Sequence, residues 1–306
     1  MQQRFTFQSG GETLVGTLFL PDTGPLGIVV TSGPLTSVKE QAAGAYAKAM
    51  AERGFAALAF DHRYFGESGG KPRQFEKPAA KIEDIRNAVT ALLSDKRLAS
   101  LPVFGLGICF GAGPMVRAVS EDDRFRAMAG VAGVYTDAAK TREATGPNFQ
   151  VLINAAREAE RAWQTTGVAE TIPAVAPDGG NVAMPLREAY EFYGTSRGAV
   201  PNYVNGLAVQ SRAYLLPFDA MGAAADMKVP IIIVHSERAL LPNLAREFHA
   251  KLQTPKQDLW LLSQGQIDFY DDPKLIAASA EAAASWFSAG ISFGPQPKAV
   301  APRAQN

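Results

Sequence analysis

Residues 103–118 read VFGLGICFGAGPMVRA, a short apolar run that ends in Gly107-Ile108-Cys109-Phe110-Gly111 and passes directly into a helical pattern. A strand that reverses into a helix over so few residues holds its central residue in strained backbone and needs small neighbours. Gly107 and Gly111 supply them. The start of the helix directs free N–H groups and the positive end of its dipole at Cys109, a placement that favours a thiolate and a developing oxyanion. Cys109, the only cysteine in 306 residues, is therefore the candidate nucleophile, with a pKa expected below the ~8.5 of a free thiol. The alternative is a small apolar filler behind a buried strand.

The chain around it reads as alternating strands and helices. Residues 3–9 and 13–20 flank a Gly-Gly turn and predict an antiparallel hairpin. Strands are expected at 27–31, 55–60, 102–108, 126–135, 229–235 and 257–263, with helices at 38–53, 80–96, after Cys109, at 242–253 and at 273–289. That alternation predicts an α/β fold, a mostly parallel sheet flanked by helices with ligands bound at the carboxyl ends of the strands. Residues 137–225 interrupt it with helical, Ala- and Glu-rich sequence and are expected to form a cap. The cap carries Trp163, Tyr190, Phe192, Tyr193, Tyr203, Tyr214 and Phe218, which either roof an apolar pocket or form the cap's own core. Residues 1–136 and 226–293 then make the α/β core, and 294–306 a Pro-rich tail expected to be disordered.

Composition bounds the function. Thirty basic residues balance thirty acidic ones, so no basic stripe implies nucleic acid. The longest apolar runs fall far short of the ~20 residues that span a bilayer. A single cysteine and no signal-peptide layout predict a cytoplasmic protein. No cluster of His, Cys and carboxylates has ligand spacing, so neither a metal nor another cofactor is expected. The expected partner is a small-molecule substrate, and a homodimer is left open.

The order of elements and five local motifs resemble the α/β-hydrolase superfamily, in particular its dienelactone-hydrolase-like branch with the YcjY-type proteins. The motifs are Ser32-Gly33-Pro34 with Val38-Lys39-Glu40-Gln41; Phe60–Gly70 with the downstream Lys81…Asp84-Ile85; the Gly107–Gly111 turn; Tyr193…Arg197-Gly198…Pro201-Asn202; and Ile267-Asp268-Phe269-Tyr270-Asp271. The resemblance covers almost the whole chain. It implies an eight-stranded, mostly parallel sheet and a nucleophile, acid and histidine in that chain order.

The chain departs from that pattern where proton transfer is required. The histidine that precedes the V-D-L-Y-D-like segment in relatives is here Gln266, whose amide cannot take a proton at neutral pH. Where many relatives read H-G-x-x-D, this chain has His235-Ser236-Glu237-Arg238-Ala239, so Glu237 is the only carboxylate left nearby. His235 is the candidate for a migrated base and equally a buried structural residue; His62 and His249 are weaker candidates. The backbone N–H groups of Phe110 and Leu35 are the expected oxyanion donors, because Pro34 has none. Asp268 and Tyr270 are expected to orient substrate, although Asp268 also fits a structural turn.

Three functions follow. The first is a repurposed enzyme of small-molecule, polyketide-like metabolism that binds a hydrophobic carbonyl compound and carries out a cyclisation, addition or carbon–carbon bond formation by positioning and polarisation. The second is a cysteine-dependent ester, lactone or thioester hydrolase with a migrated base. The third is a catalytically silent binding protein.

Overall fold

The computed structural model describes residues 1–292; the tail expected to be disordered lies outside the described residues. The strands are β1 Gln2–Ser9, β2 Glu12–Phe19, β3 Ile28–Ser32, β4 Ala56–Phe60, β5 Val103–Ile108, β6 Phe125–Val131, β7 Thr171–Ile172, β8 Leu207–Ala208, β9 Ile231–His235 and β10 Lys256–Trp260. The helices are α1 Ala42–Ala51, α2 Pro78–Ser94, α3 Ala112–Glu121, α4 Ala138–Thr145, α5 Asn148–Thr166, α6 Arg187–Tyr193, α7 Arg212–Leu215, α8 Ala223–Asp226, α9 Pro242–Lys251, α10 Asp268–Asp271 and α11 Pro273–Ser292.

Eight strands form one sheet in the order β1–β2–β4–β3–β5–β6–β9–β10. β2 pairs antiparallel with β1 and β4, and every pairing from β4 to β10 is parallel. The central strands are buried from end to end, as expected where helices cover both faces. Alternation along them splits the core. Val29 and Phe104 face α1 and α11, where Phe104 stacks on Phe287 with ring centroids 4.6 Å apart. Ile28 and Val30 face α2, α3, α8 and α9.

Two expectations shift. The first helix begins at Ala42, not at 38, because the residues before it are committed elsewhere. The Lys39 N–H donates to Asp61 at 2.7 Å, and Gln41 accepts from the Val38 N–H while donating to the Gly198 carbonyl at 2.8 Å. β10 ends at Trp260, and Leu262 beyond it is 98% exposed.

The segment between β6 and β9 holds α4 to α8 and the two-stranded β7–β8 sheet. It is tied to the parallel sheet by the resemblance motifs themselves. Asn202 donates to Glu40 at 2.8 Å, and Arg197 grips Asp271 through two hydrogen bonds of 2.5 and 2.7 Å. No helix among the described residues is long and apolar enough to cross a membrane.

Candidate active site

Ser32 and Gly107 are paired across β3 and β5, so the loops that leave both strands meet at their carboxyl ends. Cys109 follows β5 at φ +53°, a left-handed conformation that a side chain rarely takes. The glycines beside it are there for space. A Cβ on Gly107 would lie 2.5 Å from the Ala112 Cα, and one on Gly111 would lie 2.2 Å from the Ser32 carbonyl oxygen. α3 begins three residues on.

Four groups meet the Cys109 thiol: the Tyr270 hydroxyl, the Phe110 N–H, the Gln266 amide and the Leu35 N–H. The fold thus brings together five of the residues singled out from the sequence. The thiol itself differs from expectation. Cys109 is 5% exposed, and burial pushes its pKa up despite the donors around it. Desolvation outweighs the helix start, and the resting group is a thiol rather than a thiolate.

Gln266 is held rigidly. Its Oε1 accepts from the Leu240 N–H at 2.9 Å, and its Nε2 donates to the Ala132 carbonyl at 2.9 Å and lies 3.4 Å from the Tyr270 hydroxyl. Both amide ends are therefore fixed by main chain. Backbone strain gathers around the same point. Thr36, Cys109, Ala132 and Leu241 all have positive φ; they are, or directly adjoin, the residues that present Leu35, the thiol and the two main-chain partners of Gln266. Strain of this kind persists only where the surroundings enforce it.

The other candidates lie elsewhere. His235 is fully buried, with Nδ1 3.0 Å from the Ser236 carbonyl and Nε2 3.3 Å from the Gly133 carbonyl, and burial holds its pKa down. Both ring nitrogens face main-chain carbonyls, of which the neutral ring donates to one, and no contact with the thiol supports the migrated-base assignment. Glu237 points to solvent and pairs with Arg246, which leaves it no part in a triad. Asp268 takes the turn role: it accepts from the Gln264 N–H at 2.6 Å and lies 4.0 Å from Arg197. The His249 carbonyl accepts from Lys256 at the end of α9.

His62 belongs to a separate buried network that the sequence did not reveal. Its Nε2 is 3.2 Å from the Ser32 hydroxyl and its Nδ1 3.4 Å from Asp84. Asp84 also accepts from Ser9 at 2.7 Å and from the Arg63 side chain at 2.6 Å. Burial would raise the Asp84 pKa, but His62, Arg63 and Ser9 hold it below the usual carboxylate range. Alongside, Lys39 joins Asp61, Glu40 and Glu67 at 2.6–2.9 Å. A buried Glu76–Lys81 pair at 2.8 Å completes the ionic layer, and Glu76 accepts from the Thr36 N–H at 2.7 Å. That last bond fixes the loop that carries the Leu35 donor.

The aromatics of 137–225 divide between two surroundings. Tyr193 stacks on Tyr203 at 5.2 Å and meets the edge of Tyr270 at 6.4 Å, and Phe218 lies 6.0 Å from Phe110. Tyr214 instead packs on Phe75 and bonds Glu160, away from the thiol. Among the described residues, no three His, Cys, Asp or Glu side chains are placed to hold a metal ion.

Residues 28–184 match the family described as serine aminopeptidase, S33. The uncharacterized protein YcjY of Escherichia coli is 28% identical over 270 residues, covering 85% of this chain and 87% of its own. A thiohydrolase of Eupenicillium brefeldianum is 26% identical, covering 87% of this chain and 88% of its own, and the polyketide transferase claH of Penicillium crustosum is 27% identical over 83% and 87%. Among solved structures, the hypothetical protein PA2218 of Pseudomonas aeruginosa matches with a TM-score of 0.83 at 26% identity, over 95% of this chain and 94% of that one. Compared by sequence, the two are 32% identical over 85% and 73% of their lengths.

Proposed function

The chain belongs to the α/β-hydrolase superfamily and is an enzyme of that family, and we propose that it carries out a non-hydrolytic acyl step on a hydrophobic, carbonyl-bearing small molecule of secondary metabolism. The observation that carries this reading is Gln266. Its amide stands where the resemblance implies a proton-accepting histidine, cannot itself take a proton, and is fixed by main chain at both ends. In a serine protease, loss of the base histidine alone costs on the order of 10⁶ in kcat. A cysteine tolerates the loss better in acylation, where the leaving group can carry off the thiol proton, than in deacylation by water.

In the proposed step the thiol adds to the carbonyl of an activated acyl group whose oxygen lies on the Phe110 and Leu35 N–H groups. The leaving thiol departs with the proton, and the acyl group passes to a hydroxyl, amine or carbon nucleophile that the substrate supplies, whose proton returns to the Cys109 sulfur as the carbon–sulfur bond breaks. The pocket contributes orientation and polarisation. The similarity to a polyketide transferase supports the reading. The similarity to a thiohydrolase favours hydrolysis as the second reading, which then needs a base other than His235.

The test is intact-mass measurement of Cys109 acylation by medium-chain thioesters, with and without an amine or alcohol acceptor. We expect acylation that is absent from Cys109→Ala, slow release into water and faster release to the acceptor. Gln266→His should raise hydrolysis at least ten-fold, a part of the ~10²–10⁴-fold that general-base catalysis supplies. Rapid wild-type hydrolysis that Gln266→His leaves unchanged would establish the second reading.

A further inference from the structure

Beside the thiol lie hydroxyl groups that neither the fold nor the proposed step uses. The Tyr193 hydroxyl is buried, with the residue 5% exposed, and has no hydrogen-bond partner; the Thr36 hydroxyl, on a residue 1% exposed, has none either. The Tyr203 hydroxyl lies by that of Thr36 without a hydrogen bond of good geometry between them. A hydroxyl taken out of water and left unpaired is a standing cost. Other buried hydroxyls elsewhere in the chain are also unpaired, but these three lie beside the one reactive side chain, and the Thr36 backbone, left-handed, has its N–H bonded to Glu76.

We infer that the Tyr193 and Thr36 hydroxyls, with Tyr203 beside them, form a second acceptor-binding subsite next to the Phe110 and Leu35 donors, and that it takes an uncharged second carbonyl oxygen of the substrate, as in a 3-oxoacyl thioester. The inference rests on the acyl-transfer reading of the same site. Burial, then the nearness of Cys109, pushes the Tyr193 phenol well above its ordinary range, and burial brings Tyr203 up to about 12. Both stay protonated at neutral pH and act as donors, so the ligand brings the acceptor.

Charge selects the kind of acceptor. The carboxylate that acts on Tyr193 is Glu76, and its cation, Lys81, is already engaged with it at 2.8 Å. A ligand carboxylate would sit in a dry pocket near Glu76 with no cation of its own, a placement that costs far more than a neutral ketone. A keto oxygen meets the donors without that cost.

The experiment compares the N-acetylcysteamine thioesters of octanoic acid, 3-oxooctanoic acid and a carboxylate-ended analogue of equal length. Binding to the Cys109→Ala protein is read by calorimetry, and acylation of the wild type by intact mass. The 3-oxo thioester should bind about ten-fold tighter than the octanoyl one, the scale of one hydrogen bond in a dry site. The carboxylate-ended one should bind no better than octanoyl. Tyr193→Phe should erase the 3-oxo preference and keep the thermal midpoint at or above the parent's. Thr36→Val makes the same test should Tyr193→Phe fail to fold. Equal binding of the two neutral thioesters, a preference that survives both substitutions, or a preference for the carboxylate overturns the subsite while Cys109 acylation leaves the acyl-transfer reading standing. Absence of both binding and acylation overturns the two together.

Discussion

Two buried polar regions flank the loop that leaves β3, and they are built on opposite principles. In the ionic layer, Asp84 has four donors, Lys39 has three carboxylates and Glu76 is matched by Lys81. Around Cys109, the Tyr193 and Thr36 hydroxyls have no partners, and four residues with strained backbone crowd the site. Satisfied polar groups fix a shape, while unsatisfied ones beside a reactive atom describe what is still to arrive. The first region therefore reads as the support for the second. Glu76 joins them through the Thr36 N–H.

The largest effect should come from breaking the satisfied region. Asp84→Asn removes the charge that balances Arg63 and the hydrogen bond to His62 at a residue with no exposure. Leaving a buried guanidinium undercompensated costs about 3–5 kcal/mol, so the urea midpoint should drop by the corresponding amount. A loss below about 1 kcal/mol would mean that Glu83, which also meets Arg63 at 2.6 Å, carries the charge balance alone.

The contrast also explains which parts could be read from the sequence. The succession of strands and helices and the turn at Cys109 were legible because glycine spacing and apolar alternation are local consequences of backbone geometry. Phe110, Leu35 and Gln266 were legible because their places follow from strand ends. What the sequence hid depends on burial and on partners distant in the chain. The helix dipole predicted an acidic thiol, yet the fold buries Cys109 deeply enough to reverse the shift. Ser32, His62 and Asp84 come from three separate elements, and no local pattern announces their contact. Tyr193 and Tyr203 stood out as cap aromatics, but their unpaired hydroxyls are a property of three-dimensional packing.

A smaller effect should appear on titration. His62 and His235 are both buried, and burial holds each below its ordinary value of 6.5. Between that value and the lower native ones, the unfolded chain binds protons that the folded chain refuses, so stability rises with pH. The folded state should be at full strength above about pH 6.5 and lose stability as the pH falls through it. Asp84, held low by its partners, adds a further loss in more acid solution. Denaturant midpoints from pH 8 to pH 4 check the sign. A midpoint that rises on acidification through this range would mean that the histidines gain charge on folding.

The smallest effect should come from a residue that lies outside both regions. Glu237 is the carboxylate that the sequence placed beside a migrated base, yet its side chain is exposed and turned to Arg246. Arg246 lies over the Trp260 ring at 3.8 Å, and Trp260 packs at 5.3 Å from His235. The acid is therefore engaged with Arg246 and the imidazole packs on Trp260, with its ring nitrogens facing main-chain carbonyls. Exposed ion pairs contribute little, because water screens them and two long side chains must be ordered to form them. Glu237→Gln should accordingly leave both the thermal midpoint and the rate of Cys109 acylation unchanged. A ten-fold fall in acylation with an unchanged midpoint would restore Glu237 and His235 to the chemistry. It would also mean that the loop after β9 rearranges when substrate binds, since the geometry seen here offers the pair no route to the thiol.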